Sequence, residues 1–219
     1  MDFIAARDLD EALDAKSERP SAEFLAGGTD LMVEVNLAHH RPDAVVSLRR
    51  VDALRESHPH RIGAGATWAE LERSSHRGLA QAARTVGSPQ IRATGTLGGN
   101  IATASPAGDG LPWIAAADAA IVVRSKTRGE RIVPWDEFFT GPKQTSLEPD
   151  ELIAAVEVPD DVPEAQEFAK VGVRNAMVIS TTSCVVMRAD DGWRVALGSV
   201  AATPIRARRA EAMLDAESD

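Results

Sequence analysis

The sequence predicts an α+β protein. Helix-start signals recur along its first half. Asp8-Leu9-Asp10-Glu11 and Thr67-Trp68-Ala69-Glu70 each place a capping residue three positions before a glutamate. Short strand-like apolar runs lie between the helical stretches. The last third changes character: Glu167 to Val171, Met177 to Met187 and Trp193 to Val200 are three strand-like runs. Asp190-Asp191-Gly192 between the last two is a hairpin signal.

In order, the first capping box opens a helix through about Lys16, and Phe24-Leu25-Ala26 is a short buried strand. Leu31 to Leu37 has the apolar spacing of a helix. Val45 to Leu48 is a strand after the Pro42-Asp43 turn. Arg61 to Gly65 begins a second unit, with a helix from Trp68 to about Ser74 and another from Leu79 to Val86. Gly87-Ser88-Pro89 breaks that helix and leads into a glycine loop. Asp109 is placed to cap a helix that carries Pro112 in its first turn and runs through Ala117. Ala120 to Arg124, Arg131 to Val133 and Leu152 to Val158 read as strands. Thr203-Pro204 then starts a helix from Ile205 to the end. Boundaries are expected near Leu54–Pro59 and Pro159–Pro163, and no internal repeat or low-complexity segment stands out.

The 219 residues, 44% apolar and 26% charged, are ordinary for a globular chain able to bury a sizeable core. A net charge of −9 without a basic block argues against nucleic acid or an anionic membrane surface as partner. The one cysteine, Cys184, cannot form an internal disulfide, hold an iron–sulfur cluster or build a zinc site; it sits in an apolar run and reads as a buried, inert thiol. The N-terminus lacks signal-peptide features, and no stretch approaches the roughly 20 apolar residues of a spanning helix. A cytoplasmic protein is expected.

Two glycine-rich turns carry the chemistry. The first is Ala26-Gly27-Gly28-Thr29-Asp30. The second runs from Thr96-Leu97-Gly98-Gly99-Asn100 through Thr103 to Ser105-Pro106 and Asp109. Glycine lets backbone N–H groups approach an anion, and Thr and Asn add donors. A helix start after each adds partial positive charge. That suits a pyrophosphate, and two such turns suggest one extended ligand gripped from two sides. Neither is a P-loop, because no Lys-Ser/Thr pair follows the glycines. Gly63-Ala64-Gly65 is the nearest approach to a dinucleotide fingerprint, but Trp68 stands where the third glycine belongs.

The rest of the inventory is bland. His39, His40, His58, His60 and His76 lie in polar stretches without metal-ligand spacing. No nucleophile elbow is present, and Asp160-Asp161 and Asp190-Asp191 fall in turns. A cradle with little acid–base machinery suits a protein whose chemistry belongs to a bound cofactor.

Four stretches carry a resemblance over nearly the whole chain. They are Ala26 to Leu31; Gln90-Ile91-Arg92 through Thr96–Ile101 to Ser105-Pro106 and Asp109; Phe138-Phe139-Thr140-Gly141 with Thr145 and Glu151-Leu152-Ile153; and Lys170 to Arg174 through Ser180. On these residues the chain resembles the FAD-binding (medium) subunit of the molybdenum hydroxylases, the xanthine dehydrogenase, carbon monoxide dehydrogenase and 4-hydroxybenzoyl-CoA reductase group.

The resemblance implies a PCMH-type fold: FAD-binding subdomains over residues 1–56 and 57–160, and a C-terminal subdomain over 161–219 with a three-stranded antiparallel sheet and helix. It implies that Phe24, Leu25, Ala26, Gly27, Gly28, Thr29 and Asp30, with Thr96, Gly98, Gly99, Asn100 and Thr103, hold the phosphates and ribityl chain of FAD. Asp109 would lie on the ribityl or adenine side, and Leu152 and Ile153 would line the adenine pocket. Some relatives carry a lysine near the flavin where Ser180 stands here, and relatives usually continue several dozen residues further, so the C-terminal subdomain is expected to be short. The implied role is an oxidoreductase subunit. It takes electrons from [2Fe–2S] clusters in a small iron–sulfur partner, fed by the molybdenum cofactor of a large molybdopterin partner. It passes them to NAD or another acceptor. The alternatives are a self-contained flavin oxidase or reductase and a module without flavin. No histidine lies between Phe24 and Asn36, so non-covalent FAD is expected.

Overall fold

The computed structural model describes residues 1–174 and 177–218. Its first elements are β1 (Asp2–Ala5), α1 (Leu9–Glu18), β2 (Glu23–Leu25), α2 (Leu31–Asn36) and β3 (Ala44–Ser47). The strands form a parallel sheet in the order β1-β3-β2. The middle strand, Ala-Val-Val-Ser, is buried throughout, the continuous apolar run that a covered parallel strand requires. Asp8 caps α1, accepting from the Glu11 N–H at 2.8 Å. The reciprocal half of the expected box falls one residue earlier, where Glu11 accepts from the Arg7 N–H at 2.9 Å.

A 3₁₀ turn at Asp52–Leu54 leads to β4 (Ser57–His58) and β5 (Arg61–Gly63). Five short helices follow: α3 (Trp68–Leu71), α4 (Arg77–Thr85), α5 (Pro89–Thr94), α6 (Leu97–Thr103) and α7 (Leu111–Ala116). Then come β6 (Ala120–Ser125), β7 (Gly129–Pro134), α8 (Trp135–Phe138), β8 (Phe139–Gly141), β9 (Gln144–Thr145) and β10 (Glu151–Glu157). The second sheet is antiparallel in the order β4-β5-β10-β6-β7, and β8 and β9 form a separate hairpin. Its central strand β10 is buried along nearly its whole length. The third sheet is antiparallel, β11 (Ala165–Val171), β12 (Thr182–Ala189), β13 (Gly192–Gly198) and β14 (Ile205–Arg206), backed by α9 (Arg208–Ser218).

Several local expectations give way to tertiary contacts. Ser88-Pro89 starts α5 rather than only breaking α4: the Ser88 hydroxyl accepts from the Ile91 N–H at 3.3 Å and Pro89 takes the first helical position. Gly98 and Gly99 lie in the first turn of α6, not in a loop, with Thr96 capping through the Gly99 N–H at 3.0 Å. Asp109 does not cap α7; Gly110 stands at that position without a side-chain bond, and the Asp109 carboxylate is turned to Lys170. The second strand of the third sheet starts at Thr182 rather than Met177.

Thr203-Pro204 does not start the last helix. Ile205 and Arg206 pair with Leu197 and Ala196, adding a fourth strand to the expected three. The reason is the buried Arg206 guanidinium, which bonds Glu211 at 2.6 Å and Asp118 at 2.7 Å and anchors the segment in the sheet. The helix begins three residues later, and Asp219, at the end of the expected helix, lies outside the described residues. No helix among the described residues is long and apolar enough to cross a membrane.

Two cores meet at β10. The larger joins α3, α4, α6 and α7 to the second and third sheets, with Trp113, Leu79, Leu97, Ile101 and Phe138 fully buried. The smaller joins the first sheet to the other face of the second, packing Leu13, Val46, Val51 and Leu54 on Val122, Leu152 and Ala154. Ile153 belongs to the larger core and Leu152 to the smaller, as alternate residues of a strand should. Leu79→Ala opens a cavity in the larger core and is expected to lose about 2–5 kcal/mol in urea denaturation. Ile132→Ala, at an exposed β7 position, should stay within about 0.5 kcal/mol of the parent.

Candidate functional site

A cleft of about 1540 Å³ runs along the junction of the three sheets. That exceeds the roughly 300–1,000 Å³ of sites for drug-sized ligands and suits an extended molecule. Its walls are the end of β2 and the turn after it, the α5–α6 segment, the Ser105 to Asp109 loop, the start of β10, and Arg174, Met177, Val178 and Ile179 beyond β11. All fifteen residues singled out in the sequence lie on it: Phe24, Leu25, Ala26, Gly27, Gly28, Thr29, Asp30, Thr96, Gly98, Gly99, Asn100, Thr103, Asp109, Leu152 and Ile153. Ser180 does not; it is buried beside the cleft and its hydroxyl has no partner among the described residues.

The two glycine segments touch each other instead of facing across a gap. A Cβ at residue 27 would overlap the Thr94 carbonyl oxygen and come within 2.9 Å of Gly95 Cα. The Thr103 hydroxyl donates to Asp30 Oδ2 at 3.1 Å, closing the contact at its other end.

Their backbones are used differently. In the first turn of α6, Leu97 N–H donates to Ala66 O at 2.9 Å, Gly98 N–H to Ala64 O at 2.8 Å and Gly99 N–H to the Thr96 hydroxyl. This second segment therefore presents no free anion cradle. In the first turn, by contrast, the N–H groups of Ala26, Gly27, Gly28, Thr29 and Asp30 find no acceptor among the described residues. Gly28 has φ +72°, the left-handed conformation that lets successive N–H groups converge.

The paired glycines of α6 also have separate reasons to be glycine. A Cβ at residue 98 would sit 2.6 Å from Ala64 Cβ, so Gly98 is a packing requirement. A Cβ at residue 99 would meet only the Thr96 hydroxyl, at 3.1 Å, and otherwise open cleft. Two buried acceptors point the same way. Asn100 Oδ1 and Asp109 Oδ1 both lack a partner among the described residues, which is costly unless a ligand or water supplies a donor.

Charges on the cleft are largely paired. Lys170 reaches Asp109 at 2.6 Å, the two side chains only 9% and 6% exposed. Burial pushes the Asp109 carboxyl above its ordinary value of 3.8, against the pull of Lys170 and the Thr85 hydroxyl. Arg131 grips Glu151 at 2.7 Å through both carboxylate oxygens and holds its pKa below the ordinary 4.5, although burial opposes this. Arg55 pairs with Glu70, His40 with Glu23 and Lys143 with Glu34. From sequence Lys170 stood out only within a resembling stretch and not as a site residue, although Gln166, Phe168 and Lys170 share the inward face of β11 at period two.

The layered α+β fold and its dinucleotide-sized cleft define a cofactor-binding protein, and comparison with known sequences gives the family. Residues 1–161 match the model of the FAD binding domain in molybdopterin dehydrogenase, and the chain belongs to that family. It is an oxidoreductase flavoprotein with FAD as its cofactor. It is 34% identical to the nicotinate dehydrogenase FAD-subunit of Eubacterium barkeri, over 97% of this chain and 79% of that one. The xanthine dehydrogenase FAD-binding subunit of Escherichia coli O157:H7 is also 34% identical, over 95% and 77%. In structure, carbon monoxide dehydrogenase from Hydrogenophaga pseudoflava superimposes with a TM-score of 0.87 at 30% identity, over 98% of this chain and 79% of that chain.

The Glu151 carboxylate is 1% exposed, so its bonds stabilise the fold while it stays charged. Its lowered pKa means that this stability is present above the unfolded-state value near 4.5 and lost as pH falls through the folded value. Glu151→Gln should cost about 1–2 kcal/mol at pH 7, modest because Arg131 is 41% exposed. Urea titrations repeated at decreasing pH should show that difference closing below about pH 4.5.

Proposed function

We propose that this chain is the FAD-carrying electron-transfer subunit of a heteromeric molybdenum hydroxylase. On this reading FAD lies between the units formed by residues 1–56 and 57–160, and residues 161–219 close one end of the cleft. The run of free N–H groups from Ala26 to Asp30 carries the assignment, because a pyrophosphate is the part of FAD that requires many converging donors. Phe24 and Leu25 lead the chain into that turn. Gly99 leaves room against the cofactor, while Gly98 and Thr96 hold the first turn of α6 in place. Asn100 Oδ1 and Asp109 Oδ1 would accept from ribityl hydroxyls or the ring system, and Leu152 and Ile153 would offer apolar surface to the adenine. The Asp30–Thr103 bond clasps the two segments around the ligand.

Bound FAD supplies the redox chemistry, accepting electrons and passing them on. The protein binds the dinucleotide, excludes water along the buried wall and fixes charge near it through Asp109 and Lys170. Electrons would arrive from the clusters of a small iron–sulfur subunit, supplied by a large molybdopterin subunit, and leave to NAD or another acceptor. The single cysteine supports that division, since this chain cannot ligate a two-iron cluster itself. A cytoplasmic setting accords with this role.

Purified chain should carry flavin absorbance near one equivalent, or regain it on adding FAD. Gly99→Val should abolish flavin retention, with the apo-protein unfolding midpoint little changed. Gly98→Ala should instead lower that midpoint, because its methyl collides with Ala64. Stoichiometric flavin in the Gly99→Val variant would remove α6 from the cofactor site.

A further inference from the structure

We propose that Arg49 is the side chain that neutralises the cofactor's pyrophosphate and thereby selects FAD over flavins that lack the ADP half. The proposal rests on the reading of the cleft as an FAD site.

In the parallel pairing of β2 with β3, Leu25 lies opposite Ser47. The Leu48 N–H continues the ladder, donating to Leu25 O at 2.9 Å. Arg49 follows Leu48 directly and Gly27 lies two residues past Leu25, so both segments leave the same end of the paired strands. The backbone there is held by a turn, with the Val51 N–H on Leu48 O at 3.1 Å. Arg49 lines the same cleft as the turn whose five N–H groups find no acceptor among the described residues.

The chain carries a net −9, so a local cation would offset the repulsion that a doubly charged linker meets on entering it. Lys170, Arg55, Lys143 and His40 already have carboxylate partners on the cleft. Arg174 is folded back on the Met177 carbonyl, at 3.1 Å from Nε and 2.7 Å from Nη2. Arg49 alone among the basic side chains lining the cleft has no acceptor among the described residues. A guanidinium also matches the geometry of phosphate oxygens, since it can donate two parallel hydrogen bonds. The neighbouring Arg50 is exposed on the same turn but does not line the cleft, which makes it an internal control.

Flavin-depleted wild type, Arg49→Gln and Arg50→Gln are titrated with FAD, ADP and riboflavin at low and high salt, following flavin fluorescence or heat. Arg49→Gln should bind FAD and ADP about tenfold or more weakly. Its FAD affinity should respond less to salt than that of wild type. Riboflavin, which has no phosphate, should bind both alike, and Arg50→Gln should behave as wild type with every ligand. Equal FAD affinity and equal salt response in Arg49→Gln and wild type would overturn the role of Arg49 and leave the cofactor site standing. A wild-type chain that takes up no FAD would overturn the cofactor reading itself, and Arg49's role with it.

Discussion

No side chain fits at residue 27, because the Thr94 carbonyl and Gly95 occupy the space a Cβ would need. The cleft depends on that contact. It brings the turn after β2 against the end of α5 and so sets the distance between the first sheet and the α6 wall. The segment from Thr94 to Thr103 is held from its other side by the β5–α3 connection, whose Ala64 and Ala66 carbonyls accept from Gly98 and Leu97. The Gly95 carbonyl accepts from the Trp68 N–H at 3.0 Å, adding a third tie. These bonds consume the N–H groups of the α6 segment. The N–H groups of the turn it buttresses find no acceptor among the described residues, so one glycine segment acts as frame and the other, on the proposed reading, as cradle.

At the far end of the cleft a buried ion pair ties together elements that also share the larger core. Asp109 precedes α7, and Lys170 lies on β11 of the third sheet, so their buried pair joins the two. Burial outweighs Lys170 in setting the direction of the Asp109 shift. The pair is therefore weak evidence for stability and stronger evidence for placement: removing either partner would strand a buried charge. Glu151 at the start of β10 is the opposite case. Arg131, with help from the Glu148 N–H and Arg128, outweighs burial there, and the pair adds to stability at neutral pH. The two buried carboxylates on one cleft thus answer to acid in opposite directions.

Much of the fold was legible where the deciding contacts were local. Thr67 and Glu70 form the full capping box, at 3.3 and 2.8 Å, because both bonds lie within four residues. The apolar run of β10 and the Asp190-Asp191-Gly192 hairpin were readable for the same reason. What escaped was set at a distance. A glycine pair disfavours helix by about 1 kcal/mol per residue, yet Thr96 and the Ala64 and Ala66 carbonyls hold α6 together. Arg206 belongs to a strand because Asp118 and Glu211 await it, one of them 88 residues away. The site follows the same rule. Its residues were legible as a set, but which N–H groups stay free depends on carbonyls some thirty residues upstream. Arg49 could not be singled out from sequence either, because only the pairing of β2 with β3 brings the ends of the two strands to one cleft.

Gly98 and Gly99 show why the second motif resisted a chemical reading. They are identical in sequence and adjacent, but successive helical residues point about 100° apart. One Cα therefore faces Ala64, where a methyl cannot enter, and the other faces the cleft, where a methyl would meet little of the protein. The first glycine is needed by the fold and the second is not. A position that the chain itself does not require to be glycine, on the wall of a cleft, is one where the missing volume belongs to something else. On the proposed reading of the cleft that something is FAD. The sequence motif thus superimposes a packing constraint and a ligand constraint on two neighbouring residues, and only the three-dimensional surroundings separate them.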